Sequence, residues 1–200
     1  MHPKLIAFDT SAAHCAAAVL ADGAILVERR EAMARGQAER LMPFLEEVMA
    51  EAGMEWRDLD ALAVGVGPGN FTGIRIAVSA ARGLALGLAV PAIGVSTLEA
   101  QAEGMARPCL SLAEARRGMV YAQVLGAEGD PAPFIADDAA SPHPDLPRAP
   151  MAAPATLTPA MARIAAARLA GGMRPGRPAP LYVRAADAAP PRDPAPLILP

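Results

Sequence analysis

The chain has 200 residues and a formal net charge of −3 at pH 7; apolar residues make up 53% of it, but aromatic residues only 4%. This length fits one domain or two small lobes. The slightly acidic balance argues against a protein that binds nucleic acid by itself, because such proteins carry a clustered basic face and a high pI.

Three strands and a helix are predicted in the first quarter of the chain. Leu5–Phe8 is a short apolar run that favours a buried strand, and Cys15–Leu20 favours a second one. The dipeptide Asp22–Gly23 is typical of a two-residue hairpin turn, which leads into a third strand at Ile25–Arg29. Across Gln37–Ala52 apolar residues recur at helical spacing, which predicts a helix with one buried face.

A strand, a glycine-rich loop and a second helix come next. Leu59–Val66 predicts a strand, Gly67–Gly73 a tight loop and Ile74–Leu88 a helix. Small residues are frequent in this helix, and small residues allow two backbones to approach closely. We therefore expect a close helical neighbour.

The rest of the chain has weaker patterns. Strands are predicted at 92–95, 108–112 and 119–125, with a turn at 114–118, and helices from Ser96 or Thr97 to about Met105 and at 159–170. Residues 126–154 are rich in Pro and Ala and have neither the helical nor the strand period. A loop is expected there.

Location and redox state are also constrained by the sequence. Cys15 and Cys109 lie in short apolar runs, where cysteine behaves as a small hydrophobe, so we expect buried, reduced thiols. The first residues lack the apolar core of a signal peptide, which predicts a cytoplasmic protein. The longest apolar stretch, 83–95, is interrupted by Gly and Pro and is shorter than the roughly 20 residues of a membrane span. No membrane contact is expected.

The turn Asp9, Thr10 and Ser11 ends the first strand, where an actin-like ATPase would place a phosphate-binding loop. It is followed by two alanines instead of the glycine turn whose amides hold phosphate. A turn capped by its own hydroxyls is the favoured interpretation, with a nucleotide site as the alternative. The Gly67–Gly73 loop matches no phosphate-binding motif, and we expect it to position the following helix.

Metal and nucleophile chemistry has little support in the sequence. The three histidines have no partner at ligand spacing, and no Cys-x-x-Cys is present. His14 and Cys15 are adjacent in a predicted strand, so their side chains should point to opposite faces of the sheet. A Cys-His nucleophile is therefore disfavoured.

Four segments together resemble the bacterial TsaB (YeaZ) family. They are Ile-Ala-Phe-Asp-Thr-Ser at 6–11, Gly-Pro-Gly-Asn-Phe-Thr-Gly-Ile-Arg at 67–75, Ala-Arg-Arg-Gly-Met-Val-Tyr at 115–121 and Pro-Leu-Tyr-Val-Arg at 180–184. The resemblance covers residues 4 to about 187, and the 67–75 loop is its most specific part. One departure is Gln37, where relatives commonly have His.

The resemblance implies an α/β, actin-like (ASKHA, ribonuclease-H-like) two-lobed fold with a reduced C-terminal lobe. The lobes would be 1–97 and 98–187, followed by an irregular tail at 188–200. It also implies a non-catalytic accessory subunit in the synthesis of threonylcarbamoyladenosine beside the tRNA anticodon. Such a subunit pairs with the catalytic paralogue TsaD and meets the small ATPase TsaE, with tRNA bound through the complex.

Candidate sites follow from the residues and the resemblance together. The family loop comprises Gly67, Pro68, Gly69, Asn70, Phe71, Thr72, Gly73 and Arg75, and the expected partner interface comprises Met42, Leu45, Met49, Ala77, Ala80, Leu84 and Leu88. Arg116 and Arg117 are either an exposed turn or a contact for tRNA phosphate. No intrinsic cofactor is expected, and ATP is expected only at the level of the complex. A homodimer of the isolated chain is left open.

Two other functions compete with this one. The first is an actin-like-fold kinase or carbamoyl transferase whose degenerate loops still bind nucleotide. The second is a protease, an activity once attached to the family by similarity. The missing metal ligands and triad make the protease the least favoured of the three.

Overall fold

The protein is described by a computed structural model over residues 2–127, 131–137 and 143–183. Its first part is a five-stranded sheet in the order β3-β2-β1-β4-β5. The strands are β1 Leu5–Asp9, β2 His14–Ala21, β3 Ala24–Ala32, β4 Ala61–Gly65 and β5 Ala92–Val95. β1 pairs antiparallel with β2 and parallel with β4, and β4 pairs parallel with β5. This is the ribonuclease-H-like lobe of the actin-like fold, as the resemblance implies.

The β2–β3 hairpin follows the local chemistry of its turn. Asp22 and Gly23 both have positive φ, 50° and 81°, as the two central residues of a type I′ turn require. β3 has solvent on much of its surface, whereas every residue of β2 is buried. The hairpin therefore places β3 at the edge of the sheet and β2 inside it.

Helices cover both faces of this sheet. Helix α1, Gln37–Glu51, and helix α2, Phe71–Leu88, pack on one face around Phe8, Phe44 and Leu62. Helix α4, Thr158–Ala170, packs on the other face around Met161. Because both faces are covered, β1 and β4 are fully buried along their length, as is typical of the parallel part of a sheet.

A smaller sheet follows the short helix α3, Thr97–Gln101. Its three antiparallel strands are β6 Cys109–Glu114, β7 Met119–Leu125 and β8 Phe134–Asp137, in that order. Leu110, Val120 and Ala122 form the centre of its separate core. Gln101 joins α3 to this sheet by donating to the Leu112 carbonyl at 2.9 Å.

Several predicted boundaries need correction. β8 lies inside the segment 126–154 that was expected to be a loop, because pairing with β7 supplies the hydrogen bonds that its own pattern does not indicate. α3 ends at Gln101 instead of Met105. α4 belongs to the core of the five-stranded sheet, although the division at residue 97 placed it in the second lobe. The tail 188–200 lies outside the described residues.

Helix α2 does not fit the prediction that no apolar segment is long enough to span a membrane. By length and apolar composition alone it is long enough to cross a membrane. Its buried residues, Ile74, Ala77, Val78 and Ala81, lie on the face that packs against the sheet. Packing on the sheet accounts for the apolar character of that face.

Candidate functional site

The Asp9–Ser11 turn is closed by hydrogen bonds within the chain. The Asp9 Oδ1 atom accepts from the Ser11 amide at 2.9 Å and from the Ser11 hydroxyl at 2.8 Å, and it lies 2.8 Å from His14 Nε2. The Thr10 hydroxyl donates to the Gly73 carbonyl at 2.7 Å. Asp9, Thr10 and Ser11 are all buried. Both hydroxyls of the turn are therefore donors within the chain, and the Asp9 carboxylate, not a hydroxyl, accepts from the Ser11 amide.

The 67–73 loop packs directly on that turn. The Asn70 amide donates to the Ser11 carbonyl at 2.5 Å. A Cβ atom at Gly69 would lie 2.5 Å from the Ser11 carbonyl oxygen, and one at Gly73 would lie 1.9 Å from the Thr10 carbonyl oxygen. Side chains cannot approach backbone atoms so closely, so glycine is needed at both positions.

Asn70 also starts helix α2. Its side-chain oxygen accepts from the Gly73 amide at 2.9 Å, the usual geometry of an N-cap. The cap starts α2 three residues before the predicted start at Ile74. The loop therefore positions the helix, and it does so by contact with the Asp9–Ser11 turn.

The start of α2 carries an exposed aromatic and cationic cluster. The Arg75 guanidinium lies 3.8 Å from the Phe71 ring centroid, and Arg75 Nε donates to the Tyr182 hydroxyl at 2.8 Å. The Phe71 and Tyr182 rings stack with centroids 5.2 Å apart. Near this cluster, the Leu181 amide donates to the Val66 carbonyl at 2.8 Å. The 67–75 and 180–184 segments thus meet in space. Both belong to the sequence resemblance, but no sequence pattern shows that they are in contact.

A cleft of about 720 Å³ separates the Asp9–Ser11 turn from the β6–β7 hairpin. It is lined by Ser11, Ala12, Gln37, Pro68, Gly69, Asn70, Thr97, Gln101, Ala113, Glu114, Ala115, Arg116, Tyr121 and Met151 together with neighbouring residues. Gln37 donates to the Met33 carbonyl at 3.2 Å at one wall of the cleft. The amide side chain thus holds the start of α1.

Three of the expected interface residues are wrong. Leu45, Met49 and Ala77 are 0%, 2% and 0% exposed, because they face the sheet and not the solvent. The other four, Met42, Ala80, Leu84 and Leu88, are partly exposed. Met42 and Ala80 line a groove of about 500 Å³ between α1 and α2, together with Ala38, Leu41, Phe71, Thr72, Arg75, Ile76 and Ser79. We call this the α1–α2 groove.

Arg116 and Arg117 lie at the exposed tip of the β6–β7 hairpin. Arg117 has φ 62°, and the following Gly118 has φ 71°, so the tip turns through two left-handed residues. Neither arginine forms an ion pair with another residue in the described part of the chain. The turn is exposed, which leaves both interpretations of it in place.

The residues considered as candidates for nucleophile or metal chemistry have structural surroundings. Burial raises the pKa of the Cys15 thiol to about 11, and its Sγ donates to Met33 Sδ at 3.5 Å. His14 turns away from Cys15 toward Asp9, as strand alternation predicts. Within residues 2–127, 131–137 and 143–183, no three His, Cys, Asp or Glu side chains cluster closely enough to hold a metal ion. A thiol with so high a pKa is a poor nucleophile near neutral pH.

Comparison with known proteins agrees with the sequence resemblance. A family model described as "TsaD: tRNA N6-adenosine threonylcarbamoyltransferase" matches residues 30–173. The tRNA threonylcarbamoyladenosine biosynthesis protein TsaB of Escherichia coli is 38% identical over 123 residues, which are 59% of this chain and 53% of that protein. The chain belongs to the TsaB (YeaZ) family.

Longer matches extend the family resemblance to nearly the whole chain. An uncharacterized protein of Mycobacterium bovis is 33% identical over 201 residues, covering 93% of this chain and 94% of that protein. Among solved structures, YeaZ from Pseudomonas aeruginosa has a TM-score of 0.56 at 30% identity over 68% of each chain. A second Pseudomonas aeruginosa protein, described as similar to peptidase YeaZ, has a TM-score of 0.67 at 26% identity and covers 91% of this chain and 100% of its own.

Proposed function

We propose that this TsaB-family chain is a non-catalytic partner subunit of a TsaD-like enzyme in the threonylcarbamoyladenosine modification of tRNA. The observation that carries the proposal is the family membership, since the E. coli relative is named for this biosynthesis. A tRNA N6-adenosine threonylcarbamoyltransferase of Jannaschia is also 42% identical over 104 residues. A subunit related in sequence to the enzyme it serves is a natural partner for a pseudo-symmetric dimer.

A non-catalytic role is supported by the hydrogen bonds of the Asp9–Ser11 turn, whose hydroxyl donors are already engaged within the chain. The hydroxyls of Thr10 and Ser11 both donate inside the chain, and the Asn70 amide donates to Ser11. Phosphate binding at this turn would have to break these buried hydrogen bonds. ATP is therefore proposed to bind only at the level of the complex, and the Asp9–Ser11 turn of the isolated chain is proposed to hold no nucleotide.

Docking is proposed to use the α1–α2 groove. Its walls combine small and apolar side chains, and Leu86 on the outer side of α2 is 84% exposed. A related helix pair from the enzyme would fill the groove by ridges-into-grooves packing. The same surface would support a homodimer when the enzyme is absent. TsaE and tRNA would then bind to the pair, in the cytoplasm.

Replacing Ala80 by Arg tests the docking surface. The charged side chain would be placed in a desolvated contact, so affinity for the TsaD-like partner should fall about tenfold or more. Ala80 is only half-buried in the monomer, so the variant should still fold. The measurements are thermal unfolding of the variant alone and calorimetric titration with the TsaD-like protein of the same organism.

Ala167→Arg is the matched control for Ala80→Arg. Ala167 is an exposed residue of α4, on the opposite face of the five-stranded sheet. The Ala167→Arg substitution introduces the same charge on a helix surface outside the α1–α2 groove, and it should leave the affinity for the TsaD-like protein unchanged. If Ala80→Arg binds as tightly as the control, the groove is not the docking surface; if the unmodified chain does not bind the enzyme, the proposed function is wrong.

A further inference from the structure

A second cleft lies beside the hairpin tip, on the other side of Pro68 and Gly69 from the first. It has a volume of about 620 Å³ and is bounded by the 67–75 loop, the β6–β7 hairpin and residues 181–183. Its lining combines Phe71, Arg75, Arg116, Arg117, Tyr121 and Tyr182 with apolar side chains. The described residues that line it include three arginines and no Asp or Glu. The cleft is thus cationic in a chain whose net charge is −3.

The aromatic rings of this cleft are accessible. Phe71 and Tyr182 are 50% and 46% exposed although both are large and partly apolar. Arg75 holds them in place, since it packs on the Phe71 ring and donates to the Tyr182 hydroxyl. A prearranged pair of exposed rings is a platform on which a flat base can stack with little loss of side-chain entropy.

Two of the three arginines of the cleft lie on a different element from that platform. Arg116 and Arg117 are carried by the hairpin tip and have no ion pair among the described residues. A guanidinium group presents several donors that match the oxygens of a phosphate. The ligand that suits both walls is therefore flat and aromatic at one end and carries phosphate at the other.

We propose that this cleft binds a nucleotide unit, with its base on the Phe71 and Tyr182 rings and its phosphate at Arg116 and Arg117. The nucleotide would come from single-stranded RNA or from a free mononucleotide. The choice of RNA as the source rests on the proposed function, whereas the inference that the ligand is a nucleotide rests on the residues that line the cleft. The site is distinct from the Asp9–Ser11 turn, none of whose residues line it.

Fluorescence anisotropy of the full chain tests the site. A labelled single-stranded oligoribonucleotide of eight residues is titrated with protein at several salt concentrations, and AMP and tripolyphosphate are added as competitors. Tyr182→Ala should weaken binding about tenfold without changing the salt dependence, because it removes stacking. Tyr182→Phe keeps the ring and should bind nearly normally.

The double variant Arg116→Ala, Arg117→Ala should change the salt dependence of RNA binding, unlike Tyr182→Ala. Loss of the contacts to this one phosphate should lower the slope of log K against log salt by roughly 0.7, the value per neutralised phosphate for single strands. Arg30→Ala with Arg57→Ala is the control, since it removes two exposed charges that do not line the cleft. It should leave both affinity and slope close to those of the unmodified chain.

The competitors identify the source of the nucleotide. Displacement by AMP at concentrations near the oligonucleotide affinity indicates a free nucleotide, and displacement only by RNA indicates a nucleic acid. Three results would overturn the site: no binding of either ligand, equal loss in the control variant, or displacement by tripolyphosphate as effective as by RNA. None of these measurements contains the TsaD-like partner, so the site and the proposed function can fail separately.

Discussion

The hydroxyl of Thr10 donates to the carbonyl of Gly73 at 2.7 Å, while the carbonyl of Thr10 occupies the space that a Gly73 side chain would need. Through this two-way contact the end of β1 is bound to the first turn of α2. Both partners are buried. The turn that would hold phosphate in an actin-like ATPase is here a structural support for the helix that borders the proposed docking groove.

Gly73→Ala should destabilise the fold strongly. The new Cβ would lie 1.9 Å from the Thr10 carbonyl oxygen, a backbone atom that cannot move without shifting β1. We expect a loss of about 3 kcal/mol in the free energy of unfolding, at the upper end of overpacking effects. Equilibrium unfolding in urea measures it.

Gly83→Ala is the control in the same helix. Nothing lies within 4 Å of the position its Cβ would take. The substitution should therefore stabilise the chain by roughly 0.5–1 kcal/mol through helix propensity. Equal effects of the two substitutions would show that the close approach at Gly73 is not what requires glycine there.

Local sequence patterns were sufficient to predict the turns and strands whose structure is determined by neighbouring residues. The Asp22–Gly23 turn specified the first hairpin, and β5 and β7 have the predicted bounds. β8 was missed because a Pro- and Ala-rich segment carries no period of its own and becomes a strand only by pairing with β7. Local patterns therefore fail where a partner strand supplies the order.

Long-range placement could not be obtained from the sequence in the same way. Helical spacing predicted one apolar face on α1, and frequent small residues predicted a close helical neighbour for α2, but neither pattern fully separates the residues that face the sheet from those that face a partner. Leu45, Met49 and Ala77 were consequently assigned to a partner that they cannot reach. The stacking of Phe71 on Tyr182 joins residues more than 100 positions apart, and no local pattern encodes it.

The isolated chain should not bind ATP tightly. The hydroxyls at the Asp9–Ser11 turn are engaged with Asp9 and Gly73, so phosphate binding there must first break buried hydrogen bonds. Calorimetric titration of the pure chain with MgATP should show no site with a dissociation constant in the low micromolar range, and no ATP hydrolysis should be detected. Tight binding that persists in the Tyr182→Ala variant, and so does not come from the cleft at Phe71 and Tyr182, would instead favour an actin-like kinase or transferase.

Cys15 should be unreactive in the folded chain. Its thiol is fully buried, and burial raises its pKa to about 11. At pH 8 the thiolate fraction is then about two orders of magnitude below that of an exposed cysteine. In a Cys109→Ala background, a thiol reagent should label no cysteine in buffer and one in denaturant. Rapid labelling of the native chain would contradict the buried position.

The same shift gives Cys15 an effect on stability at high pH. A raised pKa in the folded state means that the folded chain keeps its proton where the unfolded chain loses it. The stability associated with Cys15 is therefore complete below the unfolded pKa of about 8.5 and is lost as pH rises above it. Cys15→Ala should flatten the decline in the unfolding free energy between pH 8 and pH 10.

Arg40 of α1 binds two carboxylates, Glu31 on β3 and Glu47 on its own helix. It donates to Glu31 at 2.6 and 2.8 Å and to Glu47 at 2.7 and 2.8 Å. Hydrogen bonds from Arg40 hold the pKa of Glu31 and of Glu47 below their ordinary value. Lowered carboxylate pKa values stabilise the fold above the ordinary pKa near 4.5, and this stabilisation is lost as pH falls through the lower folded values.

Arg40→Gln should therefore lower the midpoint of thermal unfolding at pH 7 by more than it does at pH 3. At the lower pH both carboxylates become protonated in the unfolded chain and increasingly in the folded one, so the arginine has less charge to pair with. Arg30→Gln is the matched control, because Arg30 is an exposed residue of β3, the strand that carries Glu31. Differential scanning calorimetry at both pH values measures this. If the Arg40 and Arg30 variants have the same pH dependence, the Arg40 pairs with Glu31 and Glu47 contribute no stability that changes with pH.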